Sequence, residues 1–151
     1  MSVFRVFDIA GMAMNAQSVR LNATASNLAN AESVSSSVDE TYKARRPLFS
    51  AAMDEAYRYQ QNTGSRADPV TGEQYGVGVS LRGIWESEAP VIVEYDPDHP
   101  LADENGYIYR PNVNPVEEMA DMMDASRSYE TAVQLADNAK KMLQATLQMG
   151  E

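Results

Sequence analysis

The chain has 151 residues, the length of one domain, and 22 acidic against 12 basic residues give it a formal net charge of −10. This charge argues against nucleic-acid binding, which needs a basic surface to displace counterions, and against docking on anionic lipid. The absence of cysteine excludes disulfides and thiolate metal sites. No apolar run approaches the roughly 18 residues of a transmembrane segment, and no cleavable signal peptide is visible.

The first region, residues 1–33, is predicted to form a long helix that packs against other helices. Its apolar or small residues recur at alternating steps of three and four over more than three heptads. This first seam consists of Phe4, Phe7, Gly11, Met14, Ser18, Leu21, Ala25 and Leu28. Several Asn and Thr residues lower the helix propensity, so we predict that the helix depends on packing and becomes ordered on assembly. Buried amides would fix the register of such a bundle, unless they simply face water.

The last region, residues 113–151, is predicted to form a second long helix. Asn114 is a suitable N-cap, and Pro115 suits the first helical position. A second seam consists of Val116, Met119, Met123, Ser126, Tyr129, Val133, Ala136, Leu143 and Leu147. Apolar residues outside both seams indicate that further helices pack around the pair, the alternative being an ordinary intramolecular core.

The middle section, residues 34–112, is predicted to contain an extended connection, an exposed or disordered loop at residues 60–74, and short β-strands. Alternation of side chains predicts strands at residues 77–81, 91–95 and 107–109, and Asn105-Gly106 predicts a tight turn before the last of them. The predicted fold class is therefore mainly α with a small β section. The long N- and C-terminal helices pair as a coiled coil, and the short β-rich middle region is inserted between them.

The groups that resemble catalytic or metal-binding residues have simpler explanations. His99 is the only histidine and lies among closely spaced Pro and Asp residues, which predicts a rigid turn. Carboxylates on the last helix resemble a glycosidase pair, but a solvated helix face explains them better. These carboxylates are Glu117, Glu118, Asp121 and Asp124. We expect no enzyme activity, no cofactor and no small-molecule substrate.

Four segments resemble one bacterial family, the flagellar axial proteins of the rod and hook. The stretch Ala25-Ser26-Asn27-Leu28-Ala29-Asn30 resembles the motif that closes the family's N-terminal helix, and residues 42–49 resemble the segment after that helix in rod proteins. Residues 111–119 and 125–130 resemble the start of the family's C-terminal helix. The resemblance covers about residues 2–50 and 80–150. The short middle section points to the proximal rod, because distal rod and hook proteins usually have a larger one.

The resemblance implies a structural protein without catalytic residues or cofactors. Such proteins are exported by the flagellar type III export apparatus without a cleaved signal peptide. They join copies of themselves and other flagellar rod proteins in the basal body, as a helical drive shaft that transmits torque across the periplasm. Two alternatives stay open: another axial subunit, of the distal rod or hook, and a free coiled-coil adaptor that binds one partner helix.

We predict that assembly uses the two helical seams. Arg127, with Asp124 and Glu130 each three residues away, is expected to form a salt bridge between helices or subunits, or else an exposed pair that contributes ~0–1 kcal/mol. The predicted assembly interface consists of Phe4, Phe7, Gly11, Met14, Leu21, Ala25, Asn27, Leu28, Asn30, Val116, Met119, Met123, Arg127, Tyr129, Val133, Ala136, Leu143 and Leu147.

Overall fold

A computed structural model describes residues 3–52 and 78–148, with side chains from residue 6 onward. The elements within this part are, in chain order, α1 (Val3–Asn30), β1 (Arg45–Ala51), β2 (Val79–Glu86), β3 (Ile92–Tyr95), β4 (Tyr107–Arg110) and α2 (Pro115–Gln148). The predicted fold class, long terminal helices with a small β section between them, is confirmed. A loop predicted at residues 60–74 and the side chain of Phe4 lie outside the described residues.

The start of α2 follows the predicted capping pattern. The Asn114 side-chain oxygen accepts a hydrogen bond from the Val116 backbone N–H at 3.1 Å, and the Asn114 carbonyl accepts one from Glu118 at 3.0 Å. Glu117 and Glu118 lie in the first turn, where carboxylates interact favourably with the helix dipole. The sequence therefore fixes this helix start locally. Neither helix, within the residues described, is long and apolar enough to cross a membrane.

The chain divides into two compact units that share both helices. One unit consists of Met1–Ser18, Leu48–Arg82 and Arg127–Glu151, and the second of Val19–Pro47 and Gly83–Ser126. Each unit thus combines part of α1, part of the middle section and part of α2. The division of the sequence into an N-terminal helix, a middle section and a C-terminal helix stays a prediction.

The first unit has small side chains at its most buried helical positions. On α1 these are Ala10 and Ala16, and on α2 they are Ala132 and Ala139. The part of the β1–β2 pair that lies in this unit ends at a hydrogen bond from the Ala52 N–H to the Gly78 carbonyl at 2.8 Å. Because the Met12 thioether occupies the space where a Gly78 Cβ would lie, this position requires glycine unless Met12 moves.

The second unit buries polar groups as well as small apolar ones. Its buried apolar residues include Ala23, Ala31, Ala44, Ile108 and Ala125, and its buried polar residues are Thr24, Asn27, Thr41 and Glu118. The second sheet, β3–β4, lies wholly in this unit, and the Ser35 backbone adds an isolated bridge to Tyr109 of β4. The extended connection after α1 is therefore hydrogen-bonded to the hairpin.

The buried face of α2 differs from the predicted seam. Buried residues recur every seven positions, at Glu118, Ala125, Ala132 and Ala139, which is the repeat of a helix that packs along one partner helix. Val116, Met119 and Met123 of the predicted seam are 75%, 51% and 58% exposed. Large apolar residues thus repeat with the same spacing on another side of the helix, and their place in an assembly interface stays a prediction. Small alanines allow the closer approach of a neighbouring backbone.

The β-strands agree with the sequence pattern except at β1. The strands predicted at residues 77–81, 91–95 and 107–109 correspond to β2, β3 and β4, with residue 77 outside the described part. The turn before β4 has Gly106 at φ +83°, the left-handed region that favours glycine. No strand was predicted at β1, because Arg45, Arg46 and Pro47 are poor strand formers. The pairing partner β2, which is distant in sequence, holds β1 in the sheet.

Candidate functional site

The Asn27 side chain, in the last turn of α1, is the polar centre of the second unit. Its amide nitrogen donates to the Arg45 carbonyl at 3.0 Å and to Glu118 Oε2 at 3.1 Å. Its amide oxygen accepts from the Arg45 N–H and from the Tyr42 hydroxyl, both at 2.8 Å. Asn27 is 1% exposed, and all of its hydrogen-bonding groups have partners. One side chain therefore links α1, the start of β1 and α2.

We call the buried Asn27 amide and its partners Tyr42, Arg45 and Glu118 the helix junction. Further charged residues surround it. Glu118 is buried, and its Oε1 atom lies 4.0 Å from Arg46 Nη2, which is also 3.8 Å from Glu117. Arg45 forms an ion pair with Glu86 at 3.3 Å. Because these arginines are half-exposed, solvent screens the ion pairs and each contributes about 0–1 kcal/mol. The buried hydrogen bonds of Asn27 matter more for the geometry of the junction.

A cavity of about 250 Å³ lies beside the helix junction. It is lined by Arg20, Thr24, Asn27, Arg45, Arg46, Pro47, Glu118 and Asp121. This lining holds two carboxylates, but it contains no aromatic ring on which a sugar could stack, and Glu118 is already bonded to Asn27. In the described residues there is no cluster of three or more His, Cys, Asp or Glu side chains that could hold a metal ion. The cavity thus has the character of a charged recess in a structural junction.

The side of α2 that faces away from its buried alanines carries the outer strip, which we define as Val116, Met119 and Met123. Steps of three and four residues place them on one side of the helix, roughly 100° to 180° from Glu118 and Ala125. All three are exposed. The helix is therefore apolar on two sides, and the second side has no cover within the second unit.

The predicted assembly residues occupy three kinds of position in the structure. Asn27 is buried within the chain. Half-buried residues are Phe7, Gly11, Met14, Leu21, Leu28, Asn30, Val133, Ala136 and Leu143. Exposed residues are Ala25, Val116, Met119, Met123, Arg127, Tyr129 and Leu147. A Cβ added at Gly11 would meet nothing within 4 Å, so no described segment approaches it closely.

The salt bridge predicted at Arg127 is not formed among the described residues. Across the described residues, Arg127 makes no ion pair with Asp124 or Glu130, and all three side chains are exposed. A salt bridge between subunits stays a prediction.

The β3–β4 hairpin carries an aromatic surface that was not predicted from the sequence. Tyr95 lies opposite Tyr107 across the two strands, and their ring centroids are 5.2 Å apart in an edge-to-face arrangement. Asp103 accepts hydrogen bonds from the Tyr107 N–H at 2.8 Å and the Tyr109 hydroxyl at 3.2 Å. The sequence signal that could have indicated this surface is the alternation of tyrosine with another residue in Tyr107-Ile108-Tyr109, opposite Val93 and Tyr95 of β3.

The turn of this hairpin changes the acidity of two groups. The backbone hydrogen bond from Tyr107 is the main cause that holds the pKa of Asp103 below its ordinary value, although partial burial works in the opposite direction. Burial, followed by the hydrogen bond to Asp103, raises the pKa of Tyr109. Both shifts favour the same pairing, an ionised Asp103 that accepts a hydrogen bond from a protonated Tyr109.

Comparisons with known proteins match the two terminal regions of the chain. Residues 7–34 match the family described as flagella basal body rod protein, and residues 104–149 match the family described as flagellar basal body rod FlgEFG protein C-terminal. The two matches cover most of α1 and all of α2. They define the class of protein as a flagellar rod protein.

Comparison with individual relatives identifies one family within this class. The chain is 40% identical over 151 residues to the flagellar basal-body rod protein FlgC of Salmonella typhimurium, and 41% identical to that of Escherichia coli, with full coverage of both chains. It is 30% identical over 157 residues to the FlgC of Bacillus subtilis, again with full coverage. The chain belongs to the FlgC family of flagellar basal-body rod proteins, which are structural subunits of the rod.

Proposed function

We propose that this chain is a subunit of the proximal rod of the bacterial flagellum, and that it polymerises through its terminal helices into a shaft that transmits torque across the periplasm. The outer strip of α2 is the single observation that carries the polymerisation step. A helix that already has a buried seam on one side needs a second partner to cover an apolar surface on the other.

The size of the outer strip makes it suitable for an assembly contact. Full burial of a Val or Met side chain stabilises an interface by about 1.5–3 kcal/mol. A subunit that offers such strips to neighbours in a head-to-tail arrangement forms an open helical filament when the rotation does not close. Torque then passes through many dispersion contacts in a fixed register. This role requires no catalytic group and no cofactor.

The other parts of the proposal concern partners and the route to the rod. The neighbours are copies of this chain and other rod proteins of the basal body, and the flagellar type III export apparatus delivers the chain. Relatives named as basal-body rod proteins support this assignment. The full-length match to FlgC supports the proximal rod over the distal rod or hook.

The test places charge on the outer strip in living cells. A strain that lacks this chain is complemented with the double variant Met119→Glu and Met123→Glu. We expect the variant to be absent from isolated basal bodies and the cells to be non-motile, because two buried carboxylates without partners oppose helix packing. The matched control is Met119→Leu with Met123→Leu, which keeps an apolar strip and is expected to support swimming.

Two results would contradict the proposal. One is normal incorporation of the Glu variant, which would mean that the strip faces solvent in the rod. The other is that the unmodified chain is missing from isolated basal bodies while circular dichroism shows it stably folded at high dilution. That pair of findings would favour a free coiled-coil adaptor.

A further inference from the structure

The outward face of the β3–β4 hairpin consists of Val93, Tyr95, Tyr107 and Tyr109, and we call it the tyrosine face. Val93 pairs with Tyr109 and Tyr95 with Tyr107, so alternation along the strands places all four on one side. The opposite side carries Ile108, which is buried, and Ile92, which is 50% exposed. The hairpin therefore packs inward at Ile108, and the tyrosine face lies on the other side. Tyr95 is 64% exposed, Val93 54% and Tyr107 41%.

Local bonds hold the tyrosine face in one conformation. Tyr95 and Tyr107 pack edge to face, and Asp103 bonds both the backbone of Tyr107 and the hydroxyl of Tyr109. The Tyr95 ring also lies against Gly106, together with Pro97. A rigid aromatic surface loses little conformational entropy on binding, and tyrosine is enriched among the residues that dominate protein interfaces. The tyrosine face is therefore organised for binding before any partner arrives.

The segment that carries this face is acidic. Between Arg82 and Arg110 the sequence has many Asp and Glu residues and no Lys or Arg. Glu86 and Glu94 are paired with arginines. The carboxylates of Asp96, Asp98 and Glu104 make no ion pair with any described residue. A partner with positive charge around an apolar centre would complement this surface.

Two other occupants fit less well. A second copy of this chain carries a net charge of −10, so its approach to an acidic surface is opposed by electrostatic repulsion. A peptidoglycan strand brings the carboxylates of its stem peptides, which the acidic surroundings also repel. The edge-to-face tyrosine pair, moreover, offers no flat double platform on which sugar rings could stack.

We propose that the tyrosine face docks a lysine- or arginine-rich surface of a protein other than a second copy of this chain. The inference rests on the proposed rod function, which makes the partner a neighbouring component of the basal body. It adds a contact made by the middle section to the contacts made by the helices, and it specifies the chemistry of the partner as basic with an apolar centre.

The experiment uses the absence of cysteine from the chain. Asp98→Cys places a unique thiol three residues after Tyr95, at an exposed position, and Asp39→Cys is the matched control at an exposed aspartate elsewhere in the second unit. Each full-length variant is purified and is also produced in a strain that lacks the chain, from which basal bodies are isolated. The probes are a maleimide dye and a short maleimide–succinimidyl ester that links the thiol to a neighbouring lysine.

We expect the dye to label both thiols in the purified protein, and only the control thiol in basal bodies. The cross-linker should join residue 98 to a lysine of a different basal-body protein, identified by mass spectrometry. Adding Tyr95→Ser should abolish this cross-link, whereas Tyr95→Phe should retain it, because the ring and not the hydroxyl makes the apolar contact.

Several outcomes would overturn the inference. For the dye, these are full labelling of residue 98 in basal bodies and equal protection of residues 39 and 98. For the cross-linker, they are the absence of any cross-link and a cross-link to a second copy of this chain. A cross-linked product that only lysozyme releases would identify peptidoglycan as the partner and would also overturn the inference. A different result is that basal bodies lack both variants and also the unmodified chain. This result would contradict the proposed rod function itself.

Discussion

The helix junction and the outer strip of α2 lie in the same unit. Together they differ from the usual arrangement in which apolar side chains are buried and polar side chains are exposed. At the junction, the buried residues are an asparagine and a glutamate. On the outer strip, a valine and two methionines are exposed to solvent. Within the unit, hydrogen bonds and small alanines hold the elements together, whereas large apolar side chains are left without partners.

This difference separates the groups that specify the fold of the subunit from the groups that are left exposed for neighbours. A buried amide with all its hydrogen bonds made specifies one register, because any other register would leave buried polar groups unpaired. Under the proposed function, the exposed apolar strip specifies no register by itself but contributes most of the free energy of association. We therefore propose that the junction determines the shape of the subunit and the strip its affinity for neighbours.

The largest expected effect on stability comes from removing the junction amide. Asn27→Ala leaves the backbone groups of Arg45 and the buried carboxylate of Glu118 without this partner. We expect the free energy of unfolding to fall by about 2–4 kcal/mol, measured by urea denaturation of the purified chain. The control is Asn22→Ala on the less buried side of the same helix, with an expected change within about 0.5 kcal/mol. Equal effects of the two variants would show that the junction does not hold the unit together.

The next effect tests the alanine heptad of α2. Ala125 is fully buried, so Ala125→Leu forces extra carbons between packed elements and is expected to destabilise the fold by about 1–3 kcal/mol. Ala120→Leu makes the same change on the exposed side of α2 and is expected to be nearly neutral. Thermal unfolding measured by circular dichroism compares the two variants. A neutral Ala125→Leu variant would mean that the buried face of α2 is loosely packed.

The smallest expected effect concerns the pH dependence of the hairpin. The folded state lowers the pKa of Asp103 from its ordinary value of 3.8, chiefly through the Tyr107 backbone N–H. The ionised carboxylate therefore stabilises the fold above the unfolded pKa, and this contribution is lost as pH falls through the lower folded pKa. We expect Asp103→Asn to be less stable than the unmodified chain at neutral pH, with a difference that disappears in acid.

The measurement is the urea midpoint of the unmodified chain and the Asp103→Asn variant at several pH values from neutral downward. Asp98→Asn, in the same loop, is the control. A stability difference for Asp103→Asn that persists unchanged into acid would show that the Asp103 charge is not responsible.

Local signals in the sequence were enough to predict most helices and strands, but not which side of each is buried. Asn114-Pro115 predicted the start of α2, and Asn105-Gly106 predicted the turn before β4, because capping and turn formation depend on neighbouring residues. The periodicity identified the seam through Val116, Met119 and Met123 but not the buried alanine face, since a period of three and four residues fits more than one face of this helix. β1 escaped prediction because its pairing with β2 comes from a distant part of the chain.

The candidate sites show the same limit. The sequence named Asn27 as part of a motif and as one of several amides that could fix register, but its partners Arg45 and Glu118 are 18 and 91 residues away. The tyrosine face also depends on pairing, because Tyr95 and Tyr107 come together only through the strand register. The spacing of residues in the sequence does not predict these contacts between distant segments.

The sequence by itself determined the long terminal helices, the short strands between them, the acidic charge and the family resemblance, because these depend on local propensity, periodicity and composition. The tertiary structure alone decided which side of α2 is buried, which asparagine is buried, and which tyrosines meet. Burial depends on contacts between distant segments, and there a small alanine or a satisfied amide can occupy a buried position that hydrophobicity alone assigns to methionine or valine.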